Sequence, residues 1–308
     1  MKVIFSNAPD DFSEKNYSCI TKRAALCTPF LKKSRKRIEK SGNMFHITDA
    51  KINRNNRSRQ DQMTTAVITG VSSGLGKAMA EYFTKQGVTV YGICRSAPEL
   101  PPGAEWIRAD ITKAEDRRMI RQTLEEKGVK PDILINNAGK GIYATWEEMP
   151  ESDLREVMEL DFFAPVALTK ELLPLLAETE GTVINVSSVA GRIWVPCMGG
   201  YCAAKAAVAM FSNSLRPEIA KYGIRVLDVA PGQISTGFSS RSCGTRRPPD
   251  SPGSKGHTAQ GLAKAVFRAW RKKKKRITYP GSLAVAVWAV RTFIPGLYDK
   301  INRKLWKL

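Results

Sequence analysis

Thr65-Ala66-Val67-Ile68-Thr69-Gly70-Val71-Ser72-Ser73-Gly74-Leu75-Gly76 reads as a short buried strand running into a glycine-rich turn. Glycines at 70, 74 and 76 permit a tight turn and let the backbone approach a pyrophosphate, which the N–H groups and dipole of the next helix hold. The spacing is Gly-x-x-x-Gly-x-Gly, not the Gly-x-Gly-x-x-Gly of the general dinucleotide fingerprint. Gly70, Ser72, Ser73, Gly74, Leu75 and Gly76 are therefore the candidate phosphate cradle. Onward from this turn, strand and helix patterns alternate. Strands are expected at 65–69, 88–93, 105–109, 132–136, 181–187, 224–229 and 276–279, and helices at 74–86, 114–127, 151–177, 200–222 and 258–272. That alternation implies an α/β chain with a doubly wound parallel sheet, helices on both faces, and ligands beyond the carboxyl ends of the strands.

A second constellation lies downstream. Tyr201 and Lys205 are four residues apart, so they share one helix face, and Ser188 stands thirteen residues before Tyr201 at the end of the apolar run Val183-Ile184-Asn185-Val186-Ser187-Ser188. An ammonium beside a phenol favours the phenolate, which is expected to bring the Tyr201 proton closer to neutral exchange.

These pieces, with Asp110-Ile111, Asn136-Asn137-Ala138-Gly139 and Pro231-Gly232 followed by Thr236, fall in the order seen in the classical short-chain dehydrogenase/reductase family, which residues 63 to 280 resemble. The resemblance implies a single Rossmann-type domain and hydride exchange between a nicotinamide and a carbonyl or alcohol. It makes Tyr201 the general acid, has Lys205 lower the tyrosine pKa and bind the nicotinamide ribose, and assigns Ser188, not Ser187, to the substrate oxygen. It sets Asp110 and Ile111 at the adenine, Asn137, Ala138 and Gly139 at the adjoining ribose, and Pro231, Gly232, Ile234 and Thr236 at the nicotinamide end. One position departs from the pattern: where the family usually has an asparagine that holds a relay water, Glu159-Leu160-Asp161-Phe162-Phe163 has Asp161, which lacks an amide donor when ionised. The intact Ser188, Tyr201 and Lys205 favour an enzyme, while Asp161 is the sign for a second reading, a cofactor-binding regulatory protein with impaired reductase chemistry.

The chemistry at the end of the second strand selects the cofactor. A carboxylate there would accept from the adenosine ribose of NAD, but this chain has Cys94 followed by Arg95. A guanidinium pairs with a phosphate dianion, so NADP is favoured over NAD. Ile193, Trp194, Val195, Pro196 and Met198, between the serine and the tyrosine, are expected to present an apolar wall, and with it a lipophilic substrate. The loop from Gly237 to His257 is expected to lid that site.

Composition limits the alternatives. The net charge is +20, yet residues 1–62 hold 14 Lys/Arg against 6 Asp/Glu and residues 264–308 hold 13 against 1, so the body between them is neutral and a nucleic-acid partner is not expected. Six cysteines without a disulfide framework or metal-ligand spacing fit a reducing, cytoplasmic setting, and no metal site is expected. Residues 1–62 are polar and basic, and read as a disordered or spurious extension before a start at Met63. The catalytic domain is expected over 63–281. Residues 282–308 interleave Trp288, Phe293, Ile294, Leu297, Tyr298, Ile301, Leu305 and Trp306 with Arg303, Lys304 and Lys307, a pattern for a segment held at an anionic membrane surface without crossing it, or for one that caps the protein's own core or a dimer partner. Homo-oligomer contacts are expected through the helices at 151–177 and 200–222.

Overall fold

The computed structural model describes residues 63–246, 257–281, 289–290 and 292–308. The expectations for residues 1–62, and for the middle of the 237–257 loop, lie outside the described residues.

Among the described residues, seven strands form one parallel sheet in the order β3-β2-β1-β4-β5-β6-β7: β1 Thr65–Thr69, β2 Thr89–Cys94, β3 Ala104–Arg108, β4 Ile133–Asn136, β5 Thr182–Val186, β6 Arg225–Pro231 and β7 Arg276–Tyr279. Both faces are covered. Side-chain alternation divides each central strand between two cores, with Ala66, Ile68, Ile133, Ile135, Ile184 and Leu227 on one face and Val67, Leu134, Val183 and Val226 on the other. Helices α1 (Gly74–Lys85) and α6 (Ala259–Arg271) close the first face through Met79, Phe83, Leu262 and Val266. The second is closed by α2 (Ala114–Glu126), α4 (Ala164–Glu178) and α5 (Gly199–Ile219), through Ile120, Leu124, Leu168, Leu172 and Leu215. The strand order reverses between β1 and β4, so the crevice for ligands opens at their carboxyl ends.

The expected single helix over 151–177 is composite. Helix α3 (Glu151–Met158) passes into a π-helical turn, Glu159–Phe163, before α4 begins. The wider turn falls around Asp161 and leaves that residue buried. The expected helix over 200–222 likewise ends early, at Ile219, and a 3₁₀ turn over Ala220–Tyr222 leads to Gly223 at φ 72°. A further helix, α7 (Pro295–Trp306), forms in the C-terminal segment, with Tyr298, Asn302 and Trp306 buried.

The edge strand β7 is tied to β6 by charge as well as by its ladder. Asp228, fully buried, accepts from Ser187 Oγ and from Arg192 Nη2 at 2.6 Å, and lies 3.3 Å from Arg276 Nε on β7. Removing the carboxylate takes one acceptor from each of two guanidinium groups and from the Ser187 hydroxyl. Asp228→Ala is expected to cost about 3 kcal/mol and to lower the melting temperature by about 5–10 °C, with Asp228→Asn losing less. Thermal unfolding followed by circular dichroism measures both.

Candidate active site

At the switch point the first two crevice-lining segments are stapled together. Thr69 Oγ1 accepts from the amides of Asn137 and Ala138 at 2.9 and 3.0 Å, and Asn137 Nδ2 donates to the Thr69 carbonyl at 2.9 Å. Asn137 thus spends its side chain on the glycine turn, a structural part that its motif did not reveal. The turn is shaped for glycine at two positions. Gly70 has φ 73°, and a Cβ there would stand 2.9 Å from Ala138 Cα. A Cβ on Gly76 would fall 2.0 Å from the Gly70 carbonyl oxygen. Ser73, the N-cap of α1, makes no side-chain capping bond, so the first-turn amides of α1 are not satisfied by their own cap. These features fit the pyrophosphate of a dinucleotide.

Around this turn opens a cavity of about 990 Å³. Its walls include every residue proposed from the sequence for the cofactor except Gly74, which sits within the turn: Gly70, Ser72, Ser73, Leu75, Gly76, Arg95, Asp110, Ile111, Asn137, Ala138, Gly139, Tyr201, Lys205, Pro231, Gly232, Ile234 and Thr236. Arg95 is exposed at the rim beyond Cys94. Asp110 feels it: burial works against ionisation, but the Thr112 hydroxyl and amide, with Arg95 and Lys113, hold the carboxyl below its ordinary range. Sequence reading missed Arg241, whose Nη2 donates to the Thr236 carbonyl at 3.2 Å and would lie 3.4 Å from a Cβ on Gly74. It brings a second cation to the phosphate turn.

Ser188, Tyr201 and Lys205 come together deeper in the cavity, all buried. Ser188 Oγ accepts from Ala190 N at 3.1 Å and donates to the Pro231 carbonyl at 3.3 Å, whereas Ser187 is turned to Asp228. Lys205 Nζ stands 5.7 Å from the centre of the Tyr201 ring and donates to the Val186 carbonyl at 3.2 Å. Asp161 does not line the cavity. It lies behind Lys205, with Oδ1 accepting from Lys140 N at 2.7 Å and Oδ2 3.0 Å from Lys205 Nζ, a charge contact in which Oδ2 has no aligned hydrogen bond.

That pairing changes the electrostatics expected of the tyrosine. Burial raises the Asp161 pKa, and the neighbouring ammonium only partly opposes it. The Tyr201 phenol is also pushed up, first by burial and then by the Asp161 carboxylate, with the Ser188 hydroxyl offsetting part of the rise. The expected lowering of the Tyr201 pKa by Lys205 is therefore not found: burial of the phenol and the nearby Asp161 carboxylate both push it up.

The apolar wall is built partly as expected. Ile193, Val195 and Met198 line the cavity, but Trp194 and Pro196 do not; the Trp194 indole points to α7, donating to Asp299 Oδ1 at 2.9 Å. From the described part of the 237–257 loop, Phe238, Ser239 and Arg241 reach the cavity. A further part of the wall comes from α7, through Tyr298, Asn302, Leu305 and Trp306, beside Tyr143 and Leu160. Tyr298 Oη donates to the Trp194 carbonyl at 2.7 Å, and Trp306 stacks on Tyr143 at 6.1 Å, its buried indole nitrogen without a hydrogen-bond partner. Only the burial pattern of a folded helix could have shown this contribution.

The family model described as short chain dehydrogenase matches residues 64–245. The chain is 37% identical over 175 residues to a protein of Bacteroides thetaiotaomicron described as 3-ketodihydrosphingosine reductase, covering 56% of this chain and 65% of that one. It is 36% identical over 190 residues to an NADPH-dependent 3-dehydrocapnine reductase of Ornithobacterium rhinotracheale, covering 56% and 66%. The match thus spans just under two thirds of each of these relatives. The crystal structure of a short-chain dehydrogenase from Streptomyces avermitilis superposes with a TM-score of 0.65 at 30% identity, over 79% of this chain and 96% of that one. With the parallel sheet, the glycine turn and the serine, tyrosine and lysine on one cavity, these likenesses make the chain a member of the classical short-chain dehydrogenase/reductase family of oxidoreductases.

Proposed function

We propose that the protein is an NADPH-dependent reductase of a lipophilic carbonyl compound. One observation carries this reading: Ser188, Tyr201 and Lys205 share a single cavity with the glycine turn and Arg95, and its substrate end is largely apolar. The two relatives named as reductases, one of them NADPH-dependent, agree with it. NADPH, when bound, supplies the hydride. Gly70 to Gly76 and Arg241 hold its phosphates, Arg95 reads the phosphate that distinguishes it from NADH, and Asp110, Ile111 and Asn137 to Gly139 border the adenosine. Pro231, Gly232, Ile234 and Thr236 border the nicotinamide end. Tyr201 gives its hydroxyl proton to the carbonyl oxygen, Ser188 Oγ donates to the same oxygen, and Lys205 binds the nicotinamide ribose.

Beside the Asp161–Lys205 pair the Tyr201 hydroxyl stays protonated, the form that gives a proton to a carbonyl in the reductive direction. The regulatory reading draws on the same pair, and an absence of turnover with any lipophilic ketone in the wild-type protein would select it. The exposed Phe163 and Met210, on the outer side of the π-helical turn and α5, suit the homo-oligomer expected from sequence. Among the described residues no helix is long and apolar enough to cross a membrane, and the reading includes peripheral association of the C-terminal segment with an anionic surface.

Tyr201→Phe is expected to lower turnover of a lipophilic ketone by at least about a hundredfold while NADPH still binds, as followed by nicotinamide absorbance and fluorescence. Retention of near-wild-type turnover would remove Tyr201 from the chemistry. For the cofactor, Arg95→Glu is expected to raise the Kd for NADPH by about ten- to a hundredfold and to leave NADH little changed, since a phosphate dianion then meets a like charge. Equal losses for both would show that Arg95 does not read the phosphate.

The raised Asp161 pKa has a measurable sign. A carboxyl with a folded-state pKa above its unfolded value favours the native state at low pH and loses that contribution as pH rises above the ordinary carboxylate value of 3.8. Asp161→Asn removes the loss. The difference in melting temperature between Asp161→Asn and wild type is expected to move in favour of the variant from pH 4 toward pH 7; a difference constant across that range would mean that Asp161 titrates normally.

A further inference from the structure

Helix α7 has three faces of different chemistry. Tyr298, Asn302 and Trp306, at i, i+4 and i+8, are buried against the cavity. Leu297, Ile301 and Leu305, at i, i+4 and i+8 along an adjoining face, are each between 44% and 51% exposed and form one apolar stripe open to solvent, with Ile294 and Leu308 exposed just beyond the two ends of the helix. Lys300, Arg303, Lys304 and Lys307 are exposed around the rest of the surface. Leu305 belongs to two of these settings, because it lines the cavity and is also 45% exposed. The cavity therefore reaches the outside at the edge of the stripe. Trp194, half exposed and packed edge-to-face on Tyr298 at 5.2 Å, extends the aromatic surface at the same place.

An apolar stripe with lysines and arginines beside it is complementary to a lipid surface: side chains enter the acyl boundary while cations meet anionic headgroups. A second copy of this chain would bring the same four cations to the same contact, which disfavours pairing through this face. We propose that α7 docks the protein on an anionic phospholipid bilayer, with Leu297 and Ile301 at the centre of the inserted stripe, so that the cavity mouth at Leu305 faces the lipid and an apolar carbonyl substrate enters from the bilayer.

This differs from a simple basic tether. The Lys272–Lys275 run precedes β7 and so lies at the amino end of the parallel sheet, away from the cavity, and does not belong to the docking face. The docking deepens the peripheral association proposed for the C-terminal segment and does not depend on the reductase chemistry; the entry of substrate from lipid rests on that chemistry.

The experiment uses the full chain and vesicles of phosphatidylcholine, with or without a minority of phosphatidylserine. Wild type is expected to sediment with the phosphatidylserine vesicles at low salt and less with pure phosphatidylcholine. Leu297→Glu combined with Ile301→Glu is expected to weaken sedimentation by more than about tenfold, because two buried aliphatic side chains are lost from the interface. An unchanged circular dichroism spectrum and NADPH affinity show that this variant is folded. Replacing Lys272 to Lys275 by glutamine is expected to leave sedimentation nearly unchanged. The proposal is overturned if wild type stays in the supernatant, if the Lys272–Lys275 variant loses binding while the stripe variant keeps it, or if the stripe variant only halves the mass seen by light scattering. Substrate entry is read separately: the stripe variant is expected to lose activity toward a ketone dissolved in vesicles and to keep it toward a short, water-soluble one. Vesicle binding without turnover of either ketone upholds the docking and rejects the reductase.

Discussion

The parallel pairing of β1 with β4, closed at its carboxyl end by Thr69, is the constraint on which the site depends. It brings together segments nearly seventy residues apart in sequence, and the Thr69 hydroxyl, by accepting the Asn137 and Ala138 amides, holds the two strand ends at one spacing. The glycine turn and the start of α1 are aimed by that junction. Gly76 can then lie against the Gly70 carbonyl, so close that even a methyl group is excluded. Without this junction the amides of α1 would not converge with Arg95 and Arg241 on a common space.

Within the cavity the dominant force is desolvation. Lys205 and Asp161 are both withdrawn from water, and their attraction does not recover all the hydration that the carboxylate loses, so the Asp161 pKa rises even beside an ammonium. The same low polarity surrounds Tyr201, whose phenolate would gain little from a lysine already paired. The Asp161 carboxylate in the π-helical turn thereby acts on the tyrosine through its charge, without lining the cavity.

Much of the fold was legible because a buried parallel sheet imposes short apolar runs, and an order of runs, that few other architectures share. The strand expectations agree with the observed strands to within a residue or two at most ends, and the glycine turn, Ser188, Tyr201 and Lys205 could be named from spacing and resemblance together. What remained hidden has physical causes. The π-helical turn leaves no mark on apolar periodicity, so 151–177 read as one helix. Arg241 lies far along the chain from Gly74 and reaches it only through the fold. Residues 295–306 have apolar positions on two adjoining faces, and sequence alone could not tell which face is buried, so Tyr298, Asn302 and Trp306 were not recognised as cavity wall. Trp194 failed as a wall residue for a related reason: its indole found a partner in Asp299 on the same helix.

The division of labour between α7 and the rest of the domain also bears on how such a protein changes over evolution. The glycine turn and the strand ends around the β1–β4 junction form one part of the cavity wall, whereas α7 follows the last strand and contributes no strand to the sheet. Exchanges at Tyr298, Asn302 or Trp306 can therefore alter the width and polarity of one end of the cavity without disturbing the β1–β4 junction. Selectivity is in this sense modular, a replaceable panel set against a fixed frame, and new ligands can be explored with little risk to the core.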